Sequence, residues 1–271
     1  ALPEDARVGV MTWAADLAED NVDLAFTQLA RLGLADPLGT VRARAADTLW
    51  ESTDRGAAEM LQRLVREDPD ESVRAAAAAS LRHFVVMREF ETFDSALGDR
   101  IVDALRASVE DTSEVVDVRG LALEALGART LEWVPRLIAD SYNHDERRMR
   151  IAAVHAMGAN AEERWLEYIH EQFYSDDAEF RFEAAVAAGG IASEESIEPL
   201  LPLLDDEDSQ VVLAVVETLG EIGGRDALEV LKEFRERAPE GMDEVIAAAI
   251  ETAVEAGIET GEADGDDVDD E

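Results

Sequence analysis

Apolar residues recur along this chain at a position, four residues on and eight residues on, in short segments that themselves return about every 31 residues. The anchors of these segments are Val10, Val41, Val73, Val118, Met149, Phe180, Val211 and Val245, separated by 31, 32, 45, 31, 31, 31 and 34 residues. Triplets such as Met149, Ala153, Met157 and Phe180, Ala184, Ala188 lie on one face of an α-helix. A second amphipathic stretch precedes most anchors, for example Ile197, Leu200, Leu201, Leu203 and Leu204, or Ala227, Leu228, Val230, Leu231 and Phe234. Each period is therefore expected to be an αα-hairpin of a first helix, A, and a second helix, B, that carries the anchor. Hairpins repeated at this period cannot bury both faces alone and stack into a solenoid. The predicted fold class is an all-α, right-handed α-solenoid of about seven helical hairpins. The helix around Val10 has no room for a partner before it, so it forms an N-terminal half-repeat or marks a start inside a longer chain.

Local signals place the helix ends. Acidic residues crowd the A-to-B turns, as Asp68 and Asp70, Asp176 and Asp177, Asp205 and Asp206, where unpaired N–H groups and partial positive charge favour them. Gly127, Gly158, Gly189 and Gly220 follow the periodic runs and are expected to end the B helices in the left-handed conformation. Pro135 and Pro199 fit first turns, whereas Pro202, three residues later, is expected to kink or shift its helix. The 45-residue interval holds an insertion at about 83–99, with Phe84, Phe90 and Phe93, that forms a rim feature or seals a local gap. The repeats are expected over 1–258 and a disordered acidic tail over 259–271.

The phrase D-x-x-x-x-V-R-x-x-A-A-x-x-L-G, fullest in Asp68 to Leu81 and echoed in His144 to Gly158, resembles the HEAT repeat of the short, phycobilisome-lyase-like type. Its apolar-Arg pair recurs as Val41-Arg42, Val73-Arg74, Val118-Arg119, Met149-Arg150 and Phe180-Arg181, while Val212 and Ile246 replace the arginine in the last two copies. The resemblance implies HEAT-like hairpins whose B helices line a concave side. It implies scaffolds and adaptors, and equally subunits of bilin lyases or related tetrapyrrole-handling enzymes, because a shared fold does not fix function.

Two sets of residues become candidates. Arg42, Arg74, Arg119, Arg150 and Arg181 sit in the first turns of B helices near turn carboxylates, and are expected to form a structural ladder of planar ion pairs between repeats. Positions three and six beyond the anchors point away from the core, giving Arg44, Asp47, Leu121, Glu124, His155, Glu183 and Glu217 as the floor of a partner-binding concave face. The tryptophans, Trp13, Trp50, Trp133 and Trp165, are scattered and read as packing between hairpins. Trp50 stands where other copies have the terminal glycine, so its turn must differ.

Charge narrows the partner. The 271 residues carry 63 acidic against 24 basic side chains, a net charge of −39, with Lys232 the only lysine. Such a field repels nucleic acid and anionic membrane and draws basic partners; it also suits a protein kept soluble in a saline cytoplasm. No apolar run reaches membrane-spanning length, and there is no cysteine. The four histidines lack metal-ligand spacing, and no nucleophile elbow or phosphate-binding glycine loop occurs. The reading is a non-catalytic, cytoplasmic scaffold or adaptor that holds a protein partner, with no cofactor and no metal.

Overall fold

The computed structural model of the protein describes residues 2–20 and 26–259. Every regular element among them is helical. The lone helix α1 (Glu4–Asp20) precedes seven hairpins. The first four pair α2 (Thr27–Gly33) with α3 (Gly39–Asp47), α4 (Arg55–Glu67) with α5 (Glu71–Glu89), α6 (Ser95–Glu110) with α7 (Val116–Leu126), and α8 (Val134–Tyr142) with α9 (Arg147–Asn160). The last three pair α10 (Leu166–Gln172) with α11 (Ala178–Ile191), α12 (Ile197–Leu200) with α13 (Ser209–Ile222), and α14 (Gly224–Arg237) with α15 (Asp243–Glu259). The solenoid of helical hairpins read from the sequence is the fold. The chain divides into two compact units, Ala1–Ala156 and Met157–Glu271. The acidic tail expected over 259–271 lies, beyond Glu259, outside the described residues.

In the first unit B helices pack on B helices, α1 on α3, α3 on α5 and α5 on α7, while α4 and α6 pair as A helices. In the second unit α11 packs on α13 and α13 on α15. The anchor periodicity explains this directly. All eight residues four beyond an anchor, Ala14 to Ala249, and all eight residues eight beyond, Ala18 to Ala253, are buried. Small side chains dominate the nearer position, so the helices approach closely.

The turn carboxylates separate into two roles. Asp70, Asp177 and Asp208 are N-caps whose side chains accept from the N–H of Ser72, Glu179 and Gln210. Asp36, Asp68 and Asp206, two residues before Leu38, Asp70 and Asp208, fold the turn by accepting those N–H groups. Pro135 lies at the start of α8, and at Pro202 the helix tightens to a 3₁₀ segment, Leu201–Asp205.

The glycines do something other than the sequence pattern predicts. Gly158, Gly189 and Gly220 lie inside their helices, and the positive-φ residues come three positions later, at Ala161 (φ 53°), Ala192 (φ 53°) and Gly223 (φ 67°, ψ −158°). Gly127 caps α7 in right-handed geometry, φ −50°. The reason is helix approach rather than helix termination. A Cβ on Gly158 would stand 2.5 Å from the Cα of Ala187, and one on Gly220 would meet the Ala249 backbone at 3.0 Å.

Over residues 83–99, α5 continues to Glu89 and then turns through Glu91 at φ 56° into α6. Phe84 is buried with its ring 5.1 Å from that of Phe93, whereas Phe90 is 73% exposed. The segment both fills a gap and presents an aromatic side chain.

Candidate interaction face

The first-turn arginines of the B helices reach back to carbonyls of their own turn, and Arg42, Arg74 and Arg181 also reach forward to the turn of the next repeat. Arg42 donates from Nε and Nη2 to the two carboxylate oxygens of Asp68, both at 2.7 Å, and from Nη1 to the carbonyls of Asp36 and Pro37. Arg181 grips Asp206 the same way at 2.6 and 2.8 Å and also donates to the Ser175 carbonyl. Arg74 passes over the long segment to Glu114 at 2.8 and 2.7 Å. Arg119 donates to the Val109 carbonyl, and Arg150 to those of His144 and Asp145.

These pairs shift the titration of their members. Burial raises the Asp68 and Glu114 carboxyls, yet the guanidinium hydrogen bonds, the turn N–H bonds and the nearby positive charge outweigh it and hold both below the usual carboxylate range. For Asp206 the Arg181 hydrogen bond is the leading cause of the same lowering. Arg42, Arg74 and Arg181 are raised by their partners' hydrogen bonds, against desolvation. Two-point, low-exposure pairs of this kind fix geometry; nothing in them is poised to react.

On the B helices the face opposite the core separates by position. Residues six beyond the anchor are exposed or half-exposed throughout: Asp16, Asp47, Ala79, Glu124 and His155 in the first unit, Val186, Glu217 and Glu251 in the second. Three beyond the anchor the face closes at Ala152 and Ala214, which are buried, while Ala76 is half-buried and Ala248 exposed. Arg44 is exposed, and Leu121 and Glu183 are half-buried. Arg44 pairs with Asp47 at 3.2 Å within α3, and Glu124 accepts from Arg148 of α9 at 2.6 Å, which fixes it as a helix-to-helix tie. Glu217 faces solvent and, after burial, is the second cause that raises the Glu221 carboxyl.

This face carries a pocket in the first unit. It has a volume of about 470 Å³ and is lined by Ala15 and Asp16 of α1, Arg44, Asp47 and Trp50 at the end of α3, and Ala79 and Ser80 of α5. Trp50 forms one wall of it. Nine residues beyond the anchors of α9, α11 and α13 a glycine lets the next helix close in, but the same place after α3 is Trp50. The α-helix stops at Asp47, and the indole Nε1–H donates to the Ala18 carbonyl of α1 at 3.4 Å. Ser80 closes the floor by donating to the Ala46 carbonyl at 2.7 Å.

Trp50 is 40% exposed and Trp13 59%, yet each meets a neighbouring element, Trp50 through the Ala18 carbonyl of α1 and Trp13 edge-on to the Phe26 ring at 6.2 Å. Trp165 packs, 3% exposed and donating to Asn160, and Trp133 carries the Arg106 guanidinium at 4.5 Å. The sequence signal for the pocket is the tryptophan itself: nine residues beyond the anchors of α3, α5 and α15 stand Trp50, Arg82 and Val254 instead of glycine, and the pocket lies at Trp50.

The remaining candidates for chemistry are dispersed. His170 lies 2.9 Å from the Ser196 hydroxyl, which is fully buried, and burial holds the imidazole below its ordinary value against the charge of Glu195. His144 accepts from the Glu146 N–H. Among the described residues no group of three or more histidines and carboxylates is arranged to hold a metal. None of their helices is long and apolar enough to cross a membrane.

An all-helical hairpin array with an accessible B-helix face defines a repeat protein, and the comparisons agree at that level. Residues 162–253 match the family of HEAT repeats. E. coli YibA is similar at 18% identity over 93% of each chain, with a TM-score of 0.47. Human deoxyhypusine hydroxylase, in a complex with glycerol, is similar at 17% identity over 94% of this chain and 92% of that one, TM-score 0.42. An engineered protein is similar at 19% identity over 93% of this chain and 72% of its own, TM-score 0.46. No curated protein matches the sequence.

Proposed function

We propose that the protein is a non-catalytic scaffold or adaptor that holds a protein partner along the B-helix face of its repeats, in the cytoplasm. The observation that carries this reading is the row six residues beyond the anchors. It stays open to solvent on successive B helices of each unit, while every residue four and eight beyond is buried. A row of that kind offers independent side chains at regular spacing on a rigid frame, which is how repeat arrays present extended binding surfaces. The partner-binding set is Arg44, Asp47, Leu121, Glu124, His155, Glu183 and Glu217. Arg42, Arg74, Arg119, Arg150 and Arg181 hold the frame. The 31-residue period and the apolar-Arg phrase support the short, phycobilisome-lyase-like type of HEAT repeat as the sequence class.

The test is capture of the partner from native lysate at low and at molar salt. Glu217→Arg is expected to lower capture at least tenfold with helicity unchanged. Glu229→Arg, on the exposed side of α14, should leave capture as it was. Equal capture by both variants removes the B-helix face from the interaction.

A further inference from the structure

We propose that the α1–α3–α5 pocket is a seat for one cationic side chain, an arginine or lysine, of an extended basic peptide segment in the protein partner. The proposal rests on the reading of the B-helix face as the interaction surface and adds the chemistry of its occupant.

Three observations select that occupant. First, the pocket presents an indole held in place at one edge by its Nε1–H bond to Ala18, with 40% of Trp50 left exposed. A fixed, accessible indole face attracts a cation through its quadrupole. Second, the polar lining is acidic on balance: Asp16 and Asp47 against Arg44 alone. Arg44 and Asp47 engage each other at 3.2 Å, which leaves Asp16 as the carboxylate in excess. Third, the chain carries a net charge of −39, which raises the local concentration of basic segments at its surface.

Size agrees with this choice. Small side chains, Ala15, Ala79 and Ser80, leave a volume of about 470 Å³, room for a long side chain and its flanking backbone but small for a folded element. An aliphatic stem lies against Trp50 and the alanines, and the charged head meets Asp16 beside the Arg44–Asp47 pair. Such amphipathic side chains bury their stems while keeping the head in polar surroundings. An acidic or purely apolar residue satisfies only part of this lining.

The probe is a hexapeptide, Ala-Ala-Arg-Leu-Ala-Ala with blocked ends, compared with counterparts carrying norleucine or glutamate in place of arginine. Binding is read from the indole N–H signals of the full-length protein by ¹H–¹⁵N NMR. At about 0.3 M NaCl, where the Debye length is roughly 5–6 Å, nonspecific attraction to the acidic surface is reduced. Trp50→Phe assigns its signal. The arginine peptide should shift the Trp50 indole and leave those of Trp133 and Trp165 in place. Asp16→Asn and Asp47→Asn should each weaken binding about three- to tenfold, with unchanged circular dichroism. Equal binding of the norleucine peptide makes the pocket an apolar seat and overturns the proposal, as does stronger binding of the glutamate peptide, which would make Arg44 the anchor. No shift at Trp50 with any peptide also overturns it. In that case continued sensitivity of partner capture to Glu217→Arg keeps the B-helix face as the docking surface, whereas loss of both ends the wider reading.

Discussion

Removing the Arg42 guanidinium strands a buried carboxylate. The Asp68 side chain is 3% exposed and Arg42 13%, joined by two hydrogen bonds of 2.7 Å. In Arg42→Ala the Asp68 carboxylate keeps only the Asp70 N–H bond, and the Asp36 and Pro37 carbonyls lose their donor. Breaking a buried pair from one side costs about 3–5 kcal/mol, and the residual access to water at Arg42 lowers the expectation to about 2–4 kcal/mol. The exposed Arg44–Asp47 pair, side chains 49% and 37% exposed, supplies the control. Arg44→Ala should change stability by less than about 0.5 kcal/mol. The assay is urea denaturation followed by circular dichroism and tryptophan fluorescence together, since a repeat array need not unfold in one step.

The pH dependence has a definite sign. Asp68 titrates lower when folded than when unfolded. Its stabilisation is therefore complete above the unfolded value, about 3.9, and is lost as pH falls through the lower folded value. The gap between the native protein and Arg42→Ala should be constant from neutral pH to about 5 and shrink below about 4. An Arg42→Ala cost no larger than that of Arg44→Ala, or a gap that widens in acid, would refute the ladder as a structural device.

Three further outcomes follow from the same geometry. Gly158→Ala places a methyl 2.5 Å from the Ala187 Cα and should destabilise by about 1–3 kcal/mol in thermal or urea melts, because backbone rather than a flexible side chain must move. Ala192→Gly relieves a left-handed alanine at φ 53° and should stabilise by up to about 1 kcal/mol, against the greater freedom of glycine in the unfolded chain. His170 has its proton affinity lowered by burial, so lowering pH from 7 to 5 should weaken the second unit as the unfolded chain takes up the proton first, and His170→Gln should flatten that slope.

The hairpins were legible because their signal is local and periodic: an anchor, then buried positions four and eight residues on, is enough to orient a helix. The acidic turns were legible as helix starts, but not that Asp68 and Asp206 would accept an arginine from the preceding repeat while Asp70 and Asp208 cap. That division depends on which turn N–H each oxygen meets. The glycines were misjudged because a helix-terminating glycine and one admitting a neighbouring helix occupy the same place in sequence. Only the crossing at Ala187 and Ala249 distinguishes them. Ser80 and Thr218, whose hydroxyls donate to the Ala46 and Ala185 carbonyls of the adjacent B helix, escaped notice for the same reason. Of the outward positions, the sixth was read from helical geometry, but the third is buried at Ala152 and Ala214 and open at Ala76 and Ala248, a difference that helical periodicity alone does not carry. The departure at Trp50 was visible as a broken pattern; the pocket it opens needed three helices in place.

Site-specific photocrosslinking tests the central claim most directly. A benzophenone amino acid is placed in turn at Asp47, Glu217 and Glu229 of the full-length protein and irradiated in native lysate. The account predicts one shared protein adduct from Asp47 and Glu217 and none from Glu229. Adducts from Glu229 alone, or the same adducts from all three positions, would contradict it.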